Sequence, residues 1–345
     1  MFRIREATKK DNEALLRLEA ESPQGTGIRI LIDREDYFYR SALFDVGKVL
    51  LAEEDEKLVG VMAYAIKEVY ISGKIRRVAY LYDLRGEASY RRSMKRGLYR
   101  LWKTLESDVI DSKAAFIYGN VKADNLNSSR IYEKSEAQVV GDCGILALPS
   151  LPARSGNSLL EEMPLADAVN AVEAFVGKRD LRPIRLLDAY ERGRDLGYLK
   201  GSYRLEEGDS FAQLSVWDLS HIYRGLVLHL PKDLGLLRVI LNPLSRVFSL
   251  PRVPRLGEKL TYWHLFDPIY AGKQGEKLLK VLIHRLRHAA YLEETDLVNL
   301  IFPLGDPRLA LPRIFPGRVL RYSITAKPFG EDLPHEPLYF DIRDF

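Results

Sequence analysis

One tyrosine, two short polar side chains and a run of cations have types and spacing that could do chemistry. Asn125, Ser128 and Tyr132 are separated by three and four positions, so a helix over 125–134 carries them along one side. A phenol held there can give a proton to a departing anion. The run Arg91-Arg92-Ser93-Met94-Lys95-Arg96-Gly97 opens a predicted helix with four cations. Helix-start amides and charged side chains together suit a phosphate group, although such a run is as often a solvated helix start. Asp83 lies just upstream on a predicted strand. Its carboxylate is either structural, substrate-facing or a proton acceptor.

Other candidates carry less. Gly272-Lys273-Gln274-Gly275 precedes a second long helix and could form a second phosphate turn, but glycine pairs before helices are common. His284 and His288 stand four apart with no Glu between them and no third ligand nearby, so no metal site is predicted. Cys143 is the only cysteine, which excludes an internal disulfide and a cysteine-based zinc site. Tyr37-Phe38-Tyr39 reads as aromatic packing against a sheet, with an acceptor pocket as the other use.

The elements that must position these residues follow from periodicity. Residues 2–7 alternate as a strand, and Thr8 with Asp11 gives a helix-start pattern before Ala14, Leu15 and Leu18. Residues 49–53 and 58–66 form a hairpin across the charged turn 54–57. Residues 74–85 are a strand, 91–106 a helix with a stripe of Leu98, Leu101, Trp102 and Leu105, and 116–121 a further strand. The second half repeats this order with a helix over 164–178, strands near 210–217, 224–230 and 259–266, a helix over 276–292, and a strand at 298–302. Residues 148–160, rich in Pro, Ser and Gly, mark the boundary between a domain over 1–150 and one over 160–345.

A chain of 345 residues favours two cores over one. With 46% hydrophobic and 29% charged residues it has the composition of a folded soluble protein. No apolar run is long enough to span a bilayer and no signal region opens the sequence, so the expected location is cytoplasmic. The net charge of +4 is spread along the chain and does not point to nucleic acid.

Residues 3–146 resemble the GNAT superfamily of N-acetyltransferases. The resemblance rests on Ile4-Arg5-Glu6-Ala7-Thr8-Lys9-Lys10-Asp11, on the hairpin from Leu50-Leu51-Ala52-Glu53 to Leu58-Val59-Gly60-Val61, and most specifically on the Asn125, Ser128, Tyr132-Glu133-Lys134 pattern. With Leu214-Ser215-Val216-Trp217, Gly305-Asp306-Pro307-Arg308 and Leu311-Pro312, the whole chain is similar to HOOKLESS-like N-acetyltransferases, in which a divergent second domain follows the first. The resemblance implies an α/β fold: two GNAT-like domains in tandem, each a mixed twisted sheet flanked by helices. It implies acetyl-CoA as co-substrate and direct transfer of the acetyl group to an amine, on a small molecule or a peptide. Tyr132 would be the acid, Asp83 the candidate base, and amides around Leu84, Arg85 and Gly86 the oxyanion donors. Arg91, Arg92, Ser93, Met94, Lys95, Arg96 and Gly97 would hold the pyrophosphate, with Asn125 and Ser128 beside the coenzyme. Met94 and Arg96 stand where that family places glycines. The alternative is a degenerate pair that binds coenzyme A or another ligand, or serves as a regulatory scaffold, without turnover.

Overall fold

The computed structural model describes residues 2–21, 29–87, 91–152, 160–245, 252–304, 319–330, 333–335 and 337–345. In chain order the first half gives β1 (Phe2–Glu6), α1 (Asn12–Ala20), β2 (Arg29–Arg34), β3 (Val46–Glu54), β4 (Lys57–Ile71), β5 (Lys74–Gly86), α2 (Arg91–Asp111), β6 (Phe116–Lys122), α3 (Leu126–Lys134) and β7 (Gln138–Pro149). The second gives β8 (Glu161–Glu162), α4 (Leu165–Val176), α5 (Leu186–Asp195), β9 (Leu199–Glu207), β10 (Ser210–Asp218) and β11 (Tyr223–His229). It continues through α6 (Lys232–Ser245), β12 (Lys259–Leu260), β13 (Tyr262–Ala271), α7 (Gly275–Leu292), β14 (Leu297–Pro303) and β15 (Val319–Pro328).

Each half is a mixed sheet with one parallel pair, β5 with β6 and β13 with β14, and antiparallel neighbours. The two sheets run on into one of twelve strands, ordered β1-β3-β4-β5-β6-β15-β7-β14-β13-β10-β9-β8. Two contacts make that join. β7 pairs with β14, and β15 from far down the chain fills the place between β6 and β7. Edges that would otherwise expose unpaired backbone thereby find partners. A second sheet of three strands, β12-β11-β2, also ties the halves together. The expected boundary at 148–160 falls partly on residues 153–159, outside the described residues.

Both faces of the sheet are covered, which explains why β4 is buried continuously from Val59 to Ala65. On one face α2 lays Leu101, Leu105 and Val109, all fully buried, over the first half. On the same face α7 lays Leu279, Leu282, Ile283 and Leu286 over the second half. Each buried leucine or isoleucine contributes about 2 kcal/mol. The other face carries α1, α4 and α5, and the chain from Leu338 to Phe345 lies across it between the halves.

Candidate functional site

The two parallel pairs are short, and both open. β5 meets β6 only at Ala79–Ile117 and Tyr80–Tyr118, although both strands continue. On its other side β5 follows β4 as far as Gly86, with Asp83 and Leu84 together opposite the single residue Met62. This is a bulge, which leaves an extra residue outside the ladder. Asp83 takes the left-handed conformation, φ 48°, that an aspartate tolerates better than most residues. The second half repeats the device. β13 and β14 pair from Tyr262–Leu297 to Leu265–Leu300 and then part, and Asp267 and Pro268 stand together opposite Leu214, with Asp267 at φ 50°.

Tyr132 reaches the apex of the first opening. Its ring is buried, edge-on to Trp102 at 6.1 Å, in the core beneath α2. Its hydroxyl lies over Gly119, in the space a Cβ there would take, with the Leu81 carbonyl near the same point. Leu81 and Gly119 are the first residues past the last β5–β6 pair. Burial pushes the phenol well above its ordinary range, partly offset by a hydrogen bond with Thr325 of β15. Asn125 and Ser128 start the helix that carries it. The Asn125 side chain accepts from the Ser128 amide at 3.2 Å, an N-cap that satisfies one orphan donor.

Asp83 is bound into a buried ionic cluster on the α1 face. Arg34 of β2 donates through Nε to Glu19 of α1 at 2.6 Å and through Nη2 to Asp83 at 3.1 Å. Arg85 pairs with Glu19 at 2.6 Å. The Arg34 guanidinium sits 4.1 Å from the centre of the Tyr37 ring, so the Tyr37–Tyr39 aromatics support these charges within the core. Burial works against the Asp83 charge, but Arg34, Arg40 and Arg85 outweigh it and hold the carboxyl down at about 2. Such a group keeps no proton near neutral pH. That makes it a weak acceptor for an amine's proton and a strong anchor for the bulge.

The chain from Asp341 to Phe345 adds groups that sequence reasoning did not single out. Lys67 of β4, itself buried, donates to Asp341 at 2.9 Å and to Asp344 at 2.7 Å. Tyr118 donates to the Asp344 carboxylate at 2.7 Å, and Tyr80 donates to the Asp344 main-chain oxygen. Burial raises the Asp344 carboxyl above the usual range, with Lys67 opposing. Arg40 donates to the Phe345 main-chain oxygen at 2.7 Å. Asp344 therefore rests on Tyr80 and Tyr118, the last paired residues before β5 and β6 part. No local sequence pattern marks these residues, because their partners lie on β4, β5 and β6.

The expected pyrophosphate segment forms the first two turns of α2. The side chains of Arg91, Arg92, Ser93 and Met94 lie outside the described residues. Lys95 and Arg96 are exposed, and Arg96 and Arg100 both lie over the Phe2 ring. Gly97 faces the sheet, where a Cβ would come within 3.2 Å of the Ala52 Cβ, so its lack of a side chain serves helix packing. In the second half Gly272 has φ 81° and sits against Ser210, whose hydroxyl accepts from the Gln274 amide at 3.1 Å. The expected acceptor entrance around Glu21 to Arg29 includes residues 22–28, and the Gly305–Pro312 motifs lie within 305–318; both stretches are outside the described residues. Among the described residues no three metal-capable side chains gather, and no helix is long and apolar enough to cross a membrane.

Residues 3–120 match the sequence family described as an acetyltransferase (GNAT) domain. Saccharomyces cerevisiae N-myristoyltransferase with bound myristoyl-CoA superposes with a TM-score of 0.59 at 14% identity, over 95% of this chain and 79% of that one. The same enzyme with myristoyl-CoA and inhibitors gives 0.60 at 14% identity, over 94% and 80%. A GCN5-related N-acetyltransferase from Anabaena variabilis gives 0.50 at 11% identity, over 95% and 73%. No curated protein matches this sequence. At these identities the likeness is one of fold: two GNAT-like domains, each a mixed sheet with helices, in tandem. Nothing in this likeness singles out the HOOKLESS-like group.

Proposed function

We propose that this protein is an acyl-coenzyme A-dependent N-acyltransferase, with the thioester in the opening between β5 and β6 and an amine attacking from the α1 face. One observation carries the reading. The bulge at Asp83–Leu84 and the Tyr132 hydroxyl converge where two parallel strands part, in a sheet whose fold is shared with proteins solved with a bound coenzyme A thioester.

The chemistry assigns a task to each group. The amine lone pair attacks the thioester carbonyl carbon, and the oxyanion so formed accepts from an amide in the Leu84–Gly86 stretch. Collapse of the tetrahedral species breaks the carbon–sulfur bond, leaving an amide and a thiolate. Tyr132, fully protonated at neutral pH, supplies the thiolate's proton. The proton shed by the amine goes to Asp344, whose raised carboxyl suits it to hold one better than Asp83 does. Asp83 fixes the bulge through Arg34. The start of α2, with Arg91, Arg92, Lys95 and Arg96, takes the pyrophosphate. Acetyl is the default acyl group, and a small molecule or a peptide supplies the amine.

A second reading, a degenerate pair that binds coenzyme A or another ligand or serves as a regulatory scaffold without turnover, is favoured by Met94 and Arg96, which occupy sequence positions where a close backbone approach to phosphates wants glycine. Thermal-shift titration with acetyl-CoA and longer acyl-CoA thioesters tests both. A ligand at a hundred times its Kd stabilises the fold by about 2.7 kcal/mol. Binding followed by thiol release in the presence of amines supports the enzyme, whereas binding alone, or no shift with any thioester, supports the second reading.

A further inference from the structure

Asp267 occupies the bulge position in the second half that Asp83 occupies in the first, yet its surroundings differ in one respect. Asp83 has Arg34 and Arg85 to neutralise it. Two residues after Asp267, where Arg85 stands in the first half, is the apolar Ile269. Among the described residues no lysine, arginine or histidine lies within ion-pair distance of Asp267. Its hydrogen-bond partners are two phenols, Tyr190 of α5 and Tyr339 at 3.0 Å. Among the other buried carboxylates, Glu19, Glu106, Asp83, Asp341 and Asp344 each have an arginine or lysine, and Asp180 accepts from the Ser72 and His335 amides.

Asp267 lines a cavity. Its walls include Phe175, Phe266, Ile269 and Phe340, with Asp267 as the acid and Arg179 as the cation of the lining. Arg179 lies near the Phe175 ring, 6.0 Å from its centre. The titratable groups around Asp267 are the phenols of Tyr190 and Tyr339, the Asp341 carboxylate, which disfavours a further negative charge, and the Arg179 guanidinium in the same lining. Burial is the largest influence, and with Asp341 it pushes Asp267 up to about 7 against the two phenol hydrogen bonds. A buried acid without a cationic partner, beside aromatic walls, is complementary to a small cation.

We infer that the second half holds a ligand site in which the Asp267 carboxylate, flanked by Tyr190 and Tyr339, pairs with a small organic ammonium group inserted between the aromatic walls. The site is separate from the β5–β6 opening and does not rest on acyl transfer.

Isothermal titration calorimetry of the full chain with propylammonium chloride, against propanol as the uncharged match, tests it. The expected result at pH 8 is one saturable site for propylammonium and none for propanol, with affinity at least tenfold weaker at pH 5, where the acid is protonated. Asp267→Asn should abolish binding. Should that variant fail to fold, the wild type still decides. Binding at pH 6 must release close to one proton, read from the dependence of the heat on buffer ionisation enthalpy, and at pH 8.5 almost none. Equal binding of propanol, unchanged binding to a folded Asp267→Asn, no proton release at pH 6, or no saturable heat at all would overturn the assignment.

Discussion

The hydroxyl of Tyr132 occupies the space that a side chain on Gly119 would need, beside the carbonyl of Leu81. The phenol therefore reaches the mouth of the sheet opening only because β6 carries no Cβ at that point. Tyr132→Phe keeps the ring in the Trp102 contact and removes the proton donor alone. Turnover should fall about 10²- to 10⁴-fold while coenzyme affinity stays within a few-fold. Steady-state rates and a coenzyme binding isotherm on the same preparation check this, and an unchanged rate would take Tyr132 out of the reaction.

Gly119→Ala asks the converse. The new methyl overlaps the hydroxyl, so the ring must shift, at a cost of about 1–3 kcal/mol. The double variant Gly119→Ala with Tyr132→Phe relieves that overlap, because the atom met first is gone. Urea unfolding should then show the pair more stable than the alanine variant alone, a coupling that independent sites do not give.

The groups around this apex were unequally legible in the sequence. The apolar run at 58–66, the β-compatible run at 74–85 and the leucine stripe of α2 are local patterns, and the strands and helix appear where those patterns lie. β15 is not marked by a local pattern, and its partners at 116–122 and 138–146 are 173 to 212 residues away. Nor is α5 a clear pattern, since Gly193, a residue required by contact with the Trp217 ring, interrupts it. Asp83 was found as a carboxylate on the right strand. Of its three guanidinium neighbours Arg85 is two residues along the same strand, but Arg34 and Arg40 come from other segments, and a single sequence carries no sign of their meeting it.

Asp83→Asn leaves Arg34 and Arg85 facing Glu19 alone in a buried setting. Losing one partner of such a cluster costs about 3–5 kcal/mol, because a charge remains uncompensated. The sign with pH follows from its depressed value. Stability from Asp83 is fully present above the ordinary aspartate range and is lost as pH falls through that range toward about 2. The variant should accordingly lose stability most at neutral pH and approach the wild type near pH 2, as followed by urea midpoints across that range.

Asp267 behaves in the opposite sense. Its folded-state value of about 7 lies above the ordinary aspartate value of 3.8, so between those values the folded chain holds a proton that the unfolded chain has released. The stabilising contribution is complete below pH 4, declines as pH rises, and is gone above pH 7. A rise of this size corresponds to at most ~4 kcal/mol across the window. Asp267→Asn cannot ionise, and its amide oxygen can still accept from Tyr190 or Tyr339. Chemical unfolding at pH 5 and pH 8 should therefore show a fall for the wild type that the variant lacks, with the variant the more stable of the two at pH 8. Equal slopes for both proteins would mean that the Asp267 carboxyl ionises as freely in the folded chain as in water.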